Sequence, residues 1–324
     1  FFMENLENIL NKYIEEGKYP GIQWKIIQKN SVNQGLLGYK NLEKREFIES
    51  DTLYRIWSMT KPIVSLAAMQ FVENKKLNLN DPITYYLPEF SNLKVLKNLN
   101  SKIEDVVDLK EQPTIKNLLL HTAGFSYNFL PDPVGFEYDR INLFGSFSST
   151  LEEEIKLLSD LPLLFQPSTR WCYSVSTDVL GRILEVITGT PLQQILNEQI
   201  FIPLEMNKTG FSVSDANTRL LMNSYEFDPL KNKLTNHILE PQRIGKFGHP
   251  INNKNYARGG HGLYSTVEDF MNFVQMLHTG KNKHGKYIIS KKLIDLMSKN
   301  HLESKLFPIE ILNISTKKDE NYTN

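Results

Sequence analysis

The stretch Ser58-Met59-Thr60-Lys61-Pro62 decides how this 324-residue sequence is interpreted. It follows strand-like residues 53–57 and precedes an apolar run at residues 63–72. A serine and a lysine three residues apart at the start of a helix lie on one face, so the amine can take the serine proton. Pro62 lacks an N–H and fits only the first helical turn, so the helix should begin near Ser58. The stretch therefore predicts an activated serine nucleophile.

Two other Ser-x-x-Lys pairs test how specific this signal is. Ser91 and Lys94 lie in a polar stretch after a turn, and Ser315 and Lys318 lie in a polar tail. The pairing alone is common by chance and counts only in its structural context. Only Ser58 stands between a strand and a buried-looking helix, so we take Ser58 and Lys61 as the candidate pair.

Composition and charge exclude several classes of function. The chain has 37 basic and 37 acidic residues, so no net charge favours nucleic acid or an anionic membrane. No apolar run approaches the length of a membrane span. The first residues do not form a secretory signal as they stand, so the default expectation is a cytoplasmic protein. The oligomeric state cannot be predicted.

The motif content gives no support to a metal, a cofactor or an α/β-hydrolase fold. The chain has one cysteine, Cys172, whose simplest interpretation is a small packed residue. It has no His-Glu-x-x-His, no glycine-rich phosphate loop and no Gly-x-Ser-x-Gly elbow. We therefore expect no metal and no cofactor.

Hydrophobic periodicity predicts a mixed helix and strand chain. Helical spacing covers residues 6–14, and alternation with a turn at 29–31 predicts a hairpin over 21–39. A capping box at Ser265 and Glu268 predicts a helix through residue 277. Further helices are predicted at 114–120, 151–161, 177–188 and 290–298, with a long loop at 126–150 and an irregular polar stretch at 212–258.

Three other residues are candidates for the same site. Tyr173 stands at a loop-to-helix junction, where a tyrosine near a lysine can relay a proton, although a packed tyrosine is the simpler alternative. His121 ends a predicted helix and either caps carbonyls or lines a pocket. His261 lies in a glycine cluster, where backbones approach closely, and either faces a cleft or only accompanies the glycines.

Together these segments resemble the beta-lactamase-related serine hydrolases, which include class C beta-lactamases, D-alanyl-D-alanine carboxypeptidases and family VIII carboxylesterases. The resemblance runs from about residue 20 to about residue 300. It rests on five ordered segments: Ser58-Met59-Thr60-Lys61-Pro62, Leu79-Asn80-Asp81-Pro82, Leu119-Leu120-His121-Thr122-Ala123-Gly124, Tyr173-Ser174-Val175-Ser176-Thr177-Asp178-Val179-Leu180-Gly181 and Gly259-Gly260-His261-Gly262-Leu263-Tyr264-Ser265-Thr266.

This resemblance implies an α/β fold of α+β type, with an antiparallel sheet flanked by helices beside a mostly helical region. It implies one catalytic domain over residues 1–324, its sheet from about 1–57 plus the C-terminal part and its helical region at about 58–258. Ser58 would form an acyl-enzyme with a small ester or amide substrate. Lys61 and Tyr173 would act as general base and acid, and the Ser58 N–H would form half of the oxyanion hole. His121, Val175 and His261 would contact substrate.

Two departures from the family pattern refine this expectation. Class C beta-lactamases have Asn where this chain has Val175, which cannot contact a substrate amide, so we expect esters to be preferred. The family's third motif, Lys-Thr-Gly or an equivalent, has no candidate after Ser290, so we expect either a truncated chain that lacks the C-terminal part of the sheet or a divergent member of the family. The alternatives are a beta-lactamase or D-alanyl-D-alanine peptidase on the same fold, and a non-catalytic binding relative.

Overall fold

The computed structural model describes residues 2–29, 31–146, 148–236, 256–313 and 318–321. These residues form two compact units. Unit 1 comprises the described residues of 1–56, 201–254 and 263–288, and unit 2 those of 57–200, 255–262 and 289–324. All six predicted site residues belong to unit 2: Ser58, Lys61, His121, Tyr173, Val175 and His261.

Helices and antiparallel strands alternate along the described chain. The elements are α1 (Phe2–Glu15), β1 (Gly21–Gln28), β2 (Ser31–Asn41), β3 (Glu46–Phe47), β4 (Tyr54–Arg55), α2 (Thr60–Glu73), β5 (Lys94–Leu96), β6 (Val106–Asp108), α3 (Ile115–Leu119), α4 (Pro133–Arg140), α5 (Leu151–Ser159), α6 (Ser176–Thr188), α7 (Leu192–Leu196), β7 (Tyr225–Asp228), β8 (Lys233–Asn236), β9 (Tyr264–Ser265), α8 (Val267–Thr279), α9 (Lys291–Met297), β10 (Glu310–Asn313) and β11 (Lys318–Asn321).

Unit 1 is built on an antiparallel hairpin. Strands β1 and β2 pair from Gly21 opposite Gly38 to Gln28 opposite Ser31, and β3 extends the sheet beside β2. Helix α1 packs on β2, and α8 packs on β1. Short antiparallel pairs join β4 to β9 and β7 to β8. The predicted hairpin and the first helix are therefore confirmed.

Unit 2 is mostly helical and is centred on α2. Residues Ile63, Val64, Leu66, Ala67 and Ala68 have no exposed surface, because α2 is apolar on nearly every face and must be surrounded. Helices α6 and α7 pack against α2, and α3 and α5 pack against α6. The first turn of α2 is preceded by a 3₁₀ turn at Trp57–Met59, so Ser58 lies two residues before the first residue of the α-helix proper.

The predicted loop at 126–150 was wrong in part, because it contains helix α4. Asp132 caps this helix by accepting from the Gly135 N–H at 2.8 Å, and Pro133 occupies its first position. An Asp followed by Pro is a start signal for a helix. The many Gly, Phe and Ser residues around it hid that signal.

Two further predictions are corrected in unit 1. The cap of α8 is Thr266, which accepts from Asp269 N, because Ser265 belongs to β9 and its hydroxyl contacts Thr209. The stretch 212–258 was predicted to be irregular, but it contains a 3₁₀ turn at Asp215–Leu220 and the β7–β8 hairpin. Its residues 237–255 lie outside the described residues.

Candidate active site

Ser58 carries an exposed hydroxyl that meets two donors. The Tyr173 hydroxyl donates to Ser58 Oγ at 2.6 Å, and Lys61 Nζ lies 3.4 Å from the same oxygen. Trp57, immediately before it, has a φ of 45°, a left-handed conformation that costs a bulky residue roughly 1–3 kcal/mol. Such strain persists only where packing enforces it and is frequent at functional sites.

Lys61 is buried and its amine is fully engaged. Its side chain projects from the first turn of α2, and the residue is 9% exposed. The amine donates to the Gly260 carbonyl at 2.7 Å and to the Tyr127 hydroxyl at 2.9 Å, besides its contact with Ser58. A buried amine with three oxygen neighbours is held in one place and can exchange a proton with the Ser58 hydroxyl.

Tyr173 belongs to an aromatic group beside the serine. Its ring centroid lies 5.2 Å from those of both His121 and Tyr127, and Lys61 Nζ lies 4.6 Å from its ring. Tyr127 in turn stacks on Phe129 at 4.7 Å. The rings restrict the Tyr173 side chain, so its hydroxyl keeps its position on Ser58.

His121 is a neutral neighbour of the amine. Its Nδ1 accepts from the Ser174 N–H at 3.2 Å, so a neutral ring carries its proton on Nε2. Burial, assisted by the charge of Lys61, lowers the pKa of His121 to about 3. Its φ of 56° turns the chain at the end of α3. His121 therefore adds no positive charge near Lys61 at neutral pH.

Val175 and His261 occupy different positions around this centre. Val175 is 1% exposed, and its N–H donates to the Ser126 carbonyl at 3.1 Å at the start of α6. Its side chain is therefore packed in the interior. His261 is partly buried, follows Gly260 directly, and its Nε2 lies 3.2 Å from the Tyr256 hydroxyl.

The sequence did not single out Tyr127, Asp178 or Gly260 as parts of this site. Asp178 has no exposed surface, and its Oδ1 accepts from Gly260 N at 3.0 Å. Burial is the main reason that the pKa of Asp178 is raised. Asp178 lies inside the quoted Tyr173 segment, and the glycine cluster signalled a close approach. That approach is real, because a Cβ on Gly259 would lie 2.0 Å from the Thr177 carbonyl oxygen.

Arg258 anchors the segment that carries Gly260. It has no exposed surface and forms an ion pair with the buried Glu154 at 3.4 Å. The guanidinium also donates to the Ser146 carbonyl at 3.0 Å and to the Ser149 hydroxyl at 3.0 Å. These bonds fix the chain two residues before the carbonyl that holds Lys61.

Cys172 lies beside Tyr173 in the chain and is partly buried. Its thiol donates to the Tyr173 carbonyl at 3.6 Å. Burial, followed by the charge of Asp132, raises the pKa of this thiol to about 12. The thiol therefore stays protonated at neutral pH, and a thiolate is the form that reacts.

Neither metal nor membrane signals accompany this arrangement. In the part of the chain that the structure describes, no three His, Cys, Asp or Glu side chains are placed to share a metal ion. Among the same residues, none of the helices combines the length and apolar character needed to span a bilayer.

An exposed serine in contact with a buried lysine and a tyrosine, within a mostly helical unit, is the arrangement that the resemblance to the beta-lactamase-related group implies. The family model described as Beta-lactamase matches residues 6–308. The chain therefore belongs to the beta-lactamase family. Its predicted fold is confirmed by solved structures of that fold.

Known relatives include named esterases. The chain is 32% identical over 279 residues to an uncharacterized Mycobacterium tuberculosis protein, covering 86% of this chain and 65% of that one. It is 31% identical over 256 residues to esterase EstB of Burkholderia gladioli, covering 74% and 60%. The chain thus spans less than two thirds of both relatives.

One similar solved structure belongs to a protein whose activity is named. EstCE1, described as a hydrolase with promiscuous acyltransferase activity, superposes with a TM-score of 0.74 at 26% identity, covering 94% of this chain and 79% of EstCE1. The family and the fold follow from these similarities.

Proposed function

We propose that this protein is a serine hydrolase that cleaves carboxylic esters through an acyl-enzyme on Ser58. The observation that carries the proposal is the pair of contacts on Ser58 Oγ, 2.6 Å from the Tyr173 hydroxyl and 3.4 Å from Lys61 Nζ. A hydroxyl is a weak nucleophile until a neighbouring base takes its proton, and both groups are within reach to do so.

In the first half of the reaction Ser58 Oγ attacks the ester carbonyl carbon. Its proton passes to the Lys61 and Tyr173 pair, and the backbone N–H of Ser58 stabilises the developing oxyanion. The bond between the carbonyl carbon and the alkoxy oxygen then breaks. Tyr173 delivers the proton to that oxygen, so an alcohol leaves and the acyl group stays on Ser58.

In the second half a water molecule replaces the alcohol. The same pair takes a proton from the water as its oxygen attacks the acyl carbon. The bond between Ser58 Oγ and the acyl carbon breaks, the proton returns to Ser58, and a carboxylic acid leaves. An alcohol in place of water would give acyl transfer, which the name of EstCE1 makes the second candidate activity.

Esters are the preferred substrate class in this proposal. Val175 occupies the position of the amide-contacting Asn of class C beta-lactamases, and its packed side chain offers no hydrogen bond to a substrate amide. EstB is named an esterase. A beta-lactamase or D-alanyl-D-alanine peptidase is the alternative on the same fold, and a non-catalytic binding protein is the alternative outside catalysis.

The nucleophile is tested with Ser58→Ala and a matched control. We expect Ser58→Ala to abolish hydrolysis of p-nitrophenyl butyrate, whereas Ser91→Ala removes an exposed serine of another Ser-x-x-Lys pair and should leave kcat unchanged. A fluorophosphonate should add one adduct, located on Ser58 by peptide mass spectrometry. A Ser58→Ala variant that keeps a tenth of the wild-type kcat would remove Ser58 from this role.

The substrate class is tested by comparing kcat/KM for p-nitrophenyl butyrate and for nitrocefin. Esters should be turned over faster, because the amide-binding Asn is missing. Faster nitrocefin turnover would favour the beta-lactamase alternative. Release of butyrate esters in the presence of an added alcohol would measure the acyl-transfer activity.

A further inference from the structure

Asp178 is a buried carboxylate that the proposed reaction does not use directly. It lies in the first turn of α6 and has no exposed surface. One carboxylate oxygen, Oδ1, accepts from Gly260 N at 3.0 Å. The other, Oδ2, has no hydrogen-bond partner among the described residues. A buried carboxylate with one oxygen unpaired is costly to keep, so its position calls for a functional reason.

The unpaired oxygen and the Tyr127 hydroxyl both lie close to Gly260. A Cβ added to Gly260 would lie 2.5 Å from Asp178 Oδ2 and 2.6 Å from Tyr127 Oη. Both oxygens therefore border the same small space, which only glycine leaves open. Burial, followed by the charge of Asp178, raises the pKa of Tyr127 far above its usual range. Tyr127 thus keeps its proton and remains a neutral partner for Lys61.

Gly260 and Tyr127 are also the two residues that accept hydrogen bonds from Lys61, at 2.7 Å and 2.9 Å. A neutral amine has two N–H donors and one lone pair. When these two acceptors take both donors, the lone pair is left for the third neighbour, Ser58 Oγ. The amine is then oriented to receive the serine proton.

We propose that Asp178 is the positioning residue for Lys61, acting through the Gly260 backbone and across from the Tyr127 hydroxyl. Its negative charge balances the protonated amine after Lys61 has taken the proton, and its bond to Gly260 N fixes the carbonyl that aims the amine. Asp178 touches neither substrate nor Ser58. The inference rests on the proposed function, because it assigns Lys61 the role of base.

Several charged and titratable groups share this interior. Burial raises the pKa of Asp178 most strongly and Glu154 adds to this, whereas the Gly260 N–H, Lys61 and Arg258 favour the ionised carboxylate. Tyr173 faces Tyr127, and His121 faces Lys61 but is uncharged at neutral pH. Glu154 is already paired with Arg258, so Asp178 is the acidic group that balances the charge of the protonated Lys61.

The test is Asp178→Asn, which keeps the shape and the Oδ1 acceptor but removes the charge. We expect kcat for p-nitrophenyl butyrate to fall about 10–100-fold with KM nearly unchanged. This is the effect typical of a residue that orients a functional group by a hydrogen bond without touching the substrate, as measured for the residues that orient metal ligands. With Lys61 observed by NMR in the free enzyme, the midpoint of its titration should move to lower pH. Asp132→Asn is the control, because this half-buried carboxylate accepts from the Ser126 hydroxyl and the Gly135 N–H and should change neither readout.

A second variant, Tyr127→Phe, keeps the test decisive if Asp178→Asn does not fold. It removes one acceptor of the Lys61 amine and should also lower kcat and shift the Lys61 titration. The double variant should be little worse than the more severe single one, because both residues act on one amine. Multiplicative losses in the double variant would contradict a shared role.

Two outcomes separate this inference from the proposed function. A changed melting temperature with unchanged kcat and an unchanged Lys61 titration would reduce Asp178 to a structural role and overturn the inference. A wild-type protein that hydrolyses no ester and takes up no fluorophosphonate would overturn the proposed function. A shifted Lys61 titration in Asp178→Asn would still support the positioning in that case.

Discussion

Unit 2 holds two buried basic side chains, Lys61 and Arg258, in different surroundings. Arg258 has a carboxylate, Glu154, at 3.4 Å and further carbonyl and hydroxyl acceptors around its guanidinium. Among the described residues, the hydrogen-bond partners of Lys61 include no carboxylate and are a carbonyl, a phenol and the Ser58 hydroxyl. An arginine cannot lose its proton in a protein, whereas a lysine amine can.

The difference separates a permanent charge from an exchangeable one. Direct pairing with Glu154 fixes Arg258 as a cation, which suits a residue that anchors a loop. Because its partners are neutral, Lys61 can keep its hydrogen bonds in both protonation states. The acidic group Asp178 acts on Lys61 indirectly, by its bond to Gly260 N and from the space that it shares with the Tyr127 hydroxyl. A base needs this tolerance, because it must be stable before and after it takes a proton.

The largest effect should follow from removing the exchangeable charge. Lys61→Met keeps a similar length without an amine, and we expect kcat for p-nitrophenyl butyrate to fall by roughly 10²–10⁴, the usual contribution of a general base. The melting temperature should stay equal or rise, since an apolar side chain is easier to bury. Adding Tyr173→Phe should cost little more. If Lys61→Met strongly destabilised the protein, Lys61 would contribute to stability as Arg258 does, and the proposed difference between the two residues would be wrong.

Removing the permanent charge should act on stability instead. Arg258→Met leaves Glu154 buried without its partner, and the free energy of unfolding in urea should fall by about 3–5 kcal/mol. Replacing both residues, as Arg258→Met with Glu154→Leu, should recover part of that loss, because no unpaired charge remains. A single variant as stable as the wild type would show that the pair does not anchor the loop.

A smaller effect concerns the neutral histidine beside Lys61. The folded pKa of His121 is about 3, below its unfolded value of roughly 6.5, so the unfolded chain binds a proton that the folded chain does not. The contribution to stability is therefore complete above pH 6.5 and is lost as the pH falls towards 3. Between pH 7 and pH 5 the wild type should lose about 1–2 kcal/mol more than His121→Gln.

The control for this measurement is His278→Gln, at an exposed position of unit 1. Its unfolding free energy should follow the same pH curve as the wild type. If His121→Gln follows that curve as well, a proton on His121 is tolerated beside Lys61, and the neutral surroundings of the amine are not required.

Secondary structure could be predicted from the sequence wherever a residue type or pattern is compatible with only one local structure. Pro62 and Ser58 located the start of α2, and the alternation of residues 21–39 located the first hairpin. Tyr127 could not be identified in this way, because nothing local distinguishes a tyrosine that meets a lysine 66 positions away from a packed one. Its role depends on tertiary packing that brings distant segments of unit 2 together.

The same limit applies to Asp178 and to the cap of α8. Asp178 looked like an ordinary acidic residue in the first turn of a helix, a favourable place for any carboxylate. Only its complete burial and its bond to Gly260 set it apart. Ser265 and Thr266 are equally good caps by type, and the pairing of β9 with β4, which no local pattern encodes, decided between them.

The chemistry of Cys172 has a practical consequence for labelling. It is the only cysteine of the chain, and the raised pKa of its thiol keeps it in the unreactive protonated form near neutral pH. A maleimide dye should therefore prefer a cysteine engineered at an exposed position, without prior removal of the native one. Fluorescent and spin probes can then be attached singly to the otherwise wild-type chain, leaving the residue next to Tyr173 in its natural state.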